Sequence, residues 1–131
     1  MPCPYFEPTK PADETVFLNT RLPLIEEYQG RCRATMSACP SNSLCCHLGY
    51  PRGACDRFPA ADRNRAARYS MVRCGPEQLE FLYIEEENHA PTFSRHLHCS
   101  IHREQLMEAD LDIPIAAQAL AFCRSYLRRL R

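Results

Sequence analysis

Residues 30–68 constrain the fold of this chain more than any other stretch. They hold five cysteines, at positions 32, 39, 45, 46 and 55, and few large apolar side chains: Met36, Leu44, Leu48, Tyr50 and Phe58. Ordering one residue costs about 1–2 kcal/mol of backbone entropy. Burial of so few side chains offsets little of that cost. Such a segment either stays unstructured or is stapled. A structural zinc site contributes about 10–16 kcal/mol of apparent binding energy, and an iron–sulfur cluster organises a loop through thiolates in the same way. The cysteines therefore predict an irregular, metal-stapled loop region.

The rest of the chain favours metal over disulfides. Nine cysteines is an odd number, so full pairing would leave one over. Met1-Pro2-Cys3-Pro4 has no basic n-region, and no apolar h-region follows it. No apolar run is long enough to span a bilayer. The expectation is a cytoplasmic protein with no membrane span, where thiols stay reduced.

Spacing narrows the ligands. Gly49 and Gly53 lie between Cys46 and Cys55, in a loop able to bring both sulfurs round one centre. Adjacent side chains point in different directions, so Cys45 and Cys46 are not both expected on one metal. Cys3 sits in a stiff, aromatic-flanked segment at a terminus that would otherwise fray. The expected ligand set is Cys3, Cys32, Cys46 and Cys55, with Cys39 and Cys45 as substitutes. There is no C-x-x-C pair of the zinc-ribbon kind and no compact ferredoxin run. Cys-Pro, a context found in ferredoxin runs, occurs at Cys3-Pro4 and Cys39-Pro40. Four thiolates leave either zinc or a cluster anionic, and Arg31, Arg33, Arg52 and Arg57 would stabilise either one. Tyr5, Phe6, Tyr50 and Phe58 would shield a cluster from water. A [4Fe–4S] cluster is the first reading and structural zinc the second.

The histidines offer further ligands. His47 stands beside Cys46. His96, His98 and His102 share one face of an extended segment, and Glu104 would add a carboxylate. The plain alternative there is a solvated strand face. Cys74, Cys99 and Cys123 read as small core residues.

Cys45-Cys46 followed by Tyr50-Pro51-Arg52-Gly53-Ala54-Cys55-Asp56-Arg57-Phe58-Pro59 resembles the small bacterial cysteine-cluster proteins described as zinc- or iron-chelating. The likeness covers about residues 39–59. The spaced cysteine pair that precedes Cys-Cys in that family is missing, and Gly53 replaces a proline. The resemblance implies metal binding and names no particular metal.

The chain divides into three parts of one domain. Residues 1–29 are a Pro-rich, extended arm, because Pro2, Pro4, Pro8, Pro11 and Pro23 exclude a long helix. Residues 30–68 are the cysteine- and arginine-rich metal region. Residues 69–131 read as strands over 69–73, 79–86 and 93–101, with turns at Cys74-Gly75-Pro76-Glu77 and Asn88-His89-Ala90-Pro91. A helix follows from Asp112, with an apolar stripe of Ile115, Ala119, Phe122, Cys123, Tyr126 and Leu130. Gln118, Ser125 and Arg129 are expected on its opposite side. The expected fold class is α+β: an antiparallel three-stranded meander packed by a C-terminal helix, plus the stapled loop. Loss of metal should loosen residues 30–68 first, unless arm and loop form one wall of a shared core.

No phosphate-binding loop or nucleophile elbow is present, and Glu85, Glu86 and Glu87 read as a solvated run. No catalytic activity is expected of the chain alone. Formal net charge is zero, so no global field draws it to nucleic acid or membrane. Two classes remain. One is an electron-transfer or accessory subunit within a larger complex. The other is a zinc-stapled interaction domain whose arginines meet an acidic protein or nucleic acid. Aromatics do not interleave with those arginines, which weighs against nucleic acid.

Overall fold

The computed structural model describes residues 2–12, 22–34, 37–39, 46–47 and 65–130, with side chains at all of these but 37–39. Seven strands and one helix are present among them: β1 (Phe6–Pro11), β2 (Tyr28–Cys32), β3 (Ser37–Cys39), β4 (Arg65–Cys74), β5 (Gln78–Glu87), β6 (Ala90–Ser100), β7 (Gln105–Leu106) and α1 (Ile113–Leu130). They form a three-stranded sheet in the order β1-β2-β3 and a four-stranded sheet in the order β4-β5-β6-β7, antiparallel throughout.

This corrects the expected fold class. The protein is mostly β, not a three-stranded meander beside an irregular loop. The expected strands of the C-terminal part are present but longer, and a fourth short strand joins them. Part of the Pro-rich arm and part of the cysteine-rich region pair with each other as the second sheet. Backbone pairing supplied what apolar side chains alone could not. Glu7, Lys10, Gln29 and Arg31 lie on β1 and β2 with their backbones paired across the ladder. Gly30 permits the close approach, since a Cβ there would lie 2.0 Å from the Glu7 carbonyl oxygen.

The large sheet follows its hydrophobic alternation. Leu79, Phe81 and Tyr83 point inward from β5, and Leu97 and Cys99 from β6. Asn88 and His89 both take positive φ, at 51° and 64°, between paired Glu87 and Ala90. That is the geometry of a two-residue turn matched to strand twist. The rings of Tyr69, Phe81, Tyr83 and Phe122 pack with centroid separations of 5.6–6.5 Å.

The glutamate run is not uniformly solvated. Glu86 is buried and faces Arg68 at 3.4 Å, while Glu85 meets Arg65 at 2.5 Å. Two arginines of β4 thus neutralise two glutamates of β5.

Helix α1 also departs from its expected orientation. Gln118 and Ser125 are fully buried, whereas Leu130 is exposed. The helix serves two sheets, so its buried face is wider than one apolar stripe. Ile115, Ala119, Phe122 and Cys123 belong to the common apolar core, and α1 also packs on β1. Cys3, Phe6, Leu24, Tyr28, Cys32 and Cys46 share one core cluster with Leu79, Phe81, Leu97 and Phe122. The described residues of the arm and of the cysteine region therefore share one core with the large sheet and the helix.

Candidate metal centre

The β1–β2 register assembles the site. Phe6 pairs with Cys32, at the end of the ladder where the chain enters β1. Just before it, a tight turn returns the chain, with the Phe6 N–H donating to the Cys3 carbonyl at 3.0 Å. Pro4 occupies the turn position that its fixed φ suits. Cys3 and Cys32 are thereby brought to the same end of the small sheet. Cys46 joins them from a helical stretch, its carbonyl accepting the Cys3 N–H at 3.0 Å. All three cysteines are buried, at 7–8% exposure.

Cys3 and Cys32 carry thiols. Cys46 is disulfide-bonded. Disulfide and thiolate ligation are alternative fates of one sulfur, because the thiolate is the metal ligand. Only with Cys46 reduced would its sulfur be available as a ligand. Cys39 contributes backbone beside Gly30 on β3. Cys45 and Cys55, with Arg52, Arg57, Tyr50 and Phe58, lie outside the described residues. Among the described residues, no group of three His, Cys, Asp or Glu side chains is placed to hold an ion.

A shell of polar contacts fixes the Cys3 turn. Gln118 on α1 donates through Nε2 to the carbonyls of Cys3 and Phe6, both at 2.7 Å. Its Oε1 accepts the Tyr69 hydroxyl at 3.0 Å. Burial raises the Tyr69 pKa well above the ordinary phenol value, so this hydroxyl stays a donor. The donor fixes which way the Gln118 amide points. Pro2 adds a contact on the other side, its carbonyl accepting the Ala67 N–H of β4 at 3.1 Å. The turn is thus held between the two sheets and the helix.

His47 is buried, and its Nε2 accepts the Tyr28 backbone N–H at 3.0 Å. That nitrogen is committed to structure, and the ring packs on Phe6 at a centroid distance of 5.2 Å. Tyr28 is held in turn by Ser125, at 2.5 Å, and by donation to the Ala121 carbonyl at 2.9 Å. Arg33 pairs with Glu7 at 2.7 Å, which compensates its charge. Arg31 is exposed.

His96 and His98 are engaged by carboxylates. His98 Nδ1 lies 2.9 Å from Glu108 and its Nε2 3.4 Å from Glu80, while His96 lies 3.7 Å from Glu80. The Glu108 hydrogen bond comes first among the causes that raise the His98 pKa. His102 and Glu104 fall in the turn after β6. These histidines brace strands, and the structure does not bring them to the cysteines.

Gln118 escaped the sequence reading because a polar residue on an amphipathic helix is assigned to water by default. Its one visible signal was the seven-residue spacing to Ser125, which places both on one helix face. No known protein family, curated protein or solved structure matches the chain.

Proposed function

We propose that this chain carries a thiolate-bound metal centre, a [4Fe–4S] cluster held by Cys3, Cys32 and Cys46 with Cys55 completing the set. In this reading it serves a larger cytoplasmic complex as an electron-transfer or accessory subunit, with no catalysis of its own. The observation that supports the proposal is the burial of Cys3, Cys32 and Cys46, from three separate parts of the chain, in the common apolar core, with the Cys46 carbonyl accepting the Cys3 N–H. When bound, such a cluster supplies one-electron redox chemistry. The chain's own residues exclude water through Phe6 and hold the Cys3 turn through Gln118.

Structural zinc on the same sulfurs is the second reading. It is favoured by the site's place inside the core common to both sheets, where a redox-inactive staple already has a role. The likeness of residues 39–59 to zinc- or iron-chelating proteins supports either metal.

The test is elemental analysis of protein purified without oxygen and under reductant. Iron with acid-labile sulfide is expected, and zinc in its place would select the second reading. Cys46→Ser and Cys55→Ser should lose metal, whereas Cys74→Ser, at the exposed end of β4, should retain it. Folded, reduced protein holding neither metal, or equal loss in all three variants, would overturn the proposal.

A further inference from the structure

A second cluster of donors stands on the other face of the large sheet. Leu97 and Cys99 are buried in the core, so His96 and His98 share the outer face of β6. Glu80 on β5 is the direct partner of His98 across the ladder. Its two carboxylate oxygens divide between the rings. Oε1 lies 3.4 Å from His98 Nε2, and Oε2 lies 3.7 Å from His96 Nδ1. Both separations are long for a hydrogen bond. Neighbouring ligands around a tetrahedral zinc ion, at bonds of about 2.0–2.1 Å, stand about 3.3–3.4 Å apart.

Glu108 fixes the chemistry of His98. One of its oxygens accepts the His98 backbone N–H at 3.0 Å and the other meets Nδ1 at 2.9 Å. An ionised carboxylate only accepts, so Nδ1 carries a proton. In a neutral ring the lone pair then sits at Nε2, the nitrogen nearer Glu80. A lone pair and a carboxylate repel at 3.4 Å unless a cation stands between them. A second proton is one such cation and a metal ion is another. Glu80 and Glu108 bring two negative charges, of which a protonated His98 offsets one. A divalent ion beside a neutral ring offsets both. A carboxylate on the far nitrogen of a histidine ligand is also the contact that orients such ligands. Arg73, the partner of Glu80 on β4, is the fixed cation beside the cluster.

As the side chains stand, the donors meet in pairs, and among the described residues no three enclose one point. A turn of the His96 ring, which is 57% exposed and so has solvent to move in, closes the group. Glu80 also lines an open cavity of about 740 Å³ with Arg73, Gln78 and Ser100, which gives an ion a way in and leaves room for water. We propose that Glu80, His96 and His98 bind a divalent ion of the zinc class, with water in the fourth position and Glu108 holding His98 from behind. Two imidazoles and a carboxylate suit zinc, nickel or cobalt, whereas calcium and magnesium take oxygen shells. The site is independent of the cysteine centre, whose residues belong to the core on the sheet's other face.

The experiment titrates zinc into the full, reduced, nitrogen-15-labelled chain and follows the imidazole nitrogens by two-bond proton–nitrogen correlation spectra. Zinc in slight excess over the cysteine centre should move His98 Nε2 and His96 Nδ1 to metal-bound positions, reversibly with a chelator, and leave His89 and His102 in place. Cys46→Ser should keep these shifts, which separates this site from the cysteines. Glu80→Gln and His96→Gln should abolish them. Glu108→Gln should weaken zinc binding by roughly 10- to 100-fold, the usual loss for an outer contact. The wild-type spectra stand by themselves if a variant fails to fold. Zinc that moves neither ring would overturn the proposal, as would equal shifts at His89 and His102 or unchanged affinity in Glu80→Gln.

Discussion

Replacing Gln118 with leucine is the sharpest probe of how the two sheets are joined. The side chains are close in volume, so packing is nearly conserved and the loss is polar. Gln118 supplies two donations of 2.7 Å, to Cys3 and Phe6, and accepts one of 3.0 Å from Tyr69. The Cys3 carbonyl keeps the Phe6 N–H as a partner. The Phe6 carbonyl loses its side-chain donor, and the Tyr69 hydroxyl keeps only a 3.4 Å contact to the Ile115 carbonyl. A buried polar group stripped of its partner costs about 1–3 kcal/mol. Two such groups place the loss for Gln118→Leu at about 2–6 kcal/mol. Equilibrium urea unfolding reads this as a lower midpoint at unchanged slope. Gln118→Glu should cost more, because a carboxylate would face two carbonyl oxygens. That variant should weaken further as pH rises above about 4, where the unfolded carboxylate ionises. A change within about 0.5 kcal/mol for Gln118→Leu would refute the clamp.

Other outcomes follow from the same contacts. Gly30→Ala would set a Cβ 2.0 Å from the Glu7 carbonyl oxygen and 2.8 Å from Pro8 Cα, so β1 must leave β2; a loss of about 3 kcal/mol or more is expected by thermal denaturation. His98 has its folded pKa raised by Glu108 and Glu80, and His96 also faces Glu80. Its contribution is fully present below about pH 6.5, the unfolded value, and fades as pH rises through the raised folded value. His98→Gln should flatten that slope between pH 5.5 and 8, and an unchanged urea-midpoint profile would refute the assignment. Stripping metal from the proposed centre should release hydrogen-exchange protection in β1, β2, β4 and α1 together, because Cys3, Cys32 and Cys46 belong to the core they share. Protection lost only between residues 30 and 68 would contradict a common core.

Much of the large sheet was legible because its signals are local. Alternation over Leu79, Phe81 and Tyr83, the Gly75-Pro76 turn and the break at Asn88-His89 each act within a few residues. The small sheet was not legible, since its β1–β2 pairing joins residues as distant in sequence as Phe6 and Cys32 and its strands hold Pro8, Pro11 and Gly30. All three weaken a strand pattern. The cysteine spacing pointed to a metal and not to the contacts that the described cysteines make. Cys3 meets Cys46 through backbone, and a helix residue assigned to solvent secures the turn. His98 looked like an unpartnered ligand because sequence shows spacing and hides Glu80, which arrives from β5, and Glu108, which arrives from the segment after β7.

The prolines of β1 also bear on how copies of this protein meet in concentrated solution. β1 is an outer strand of its sheet, the position where an exposed backbone recruits a neighbouring chain into a growing ribbon. Pro8 and Pro11 have no N–H to offer, and the register slips between Pro8 and Lys10. A foreign strand approaching this edge finds two of six positions without a donor and an uneven spacing between the rest. Residues that looked like obstacles to order therefore guard the margin of the sheet against polymerisation. Substituting both with valine, which leaves the inner ladder its geometry, should show as time-dependent light scattering at concentrations where the parent stays clear.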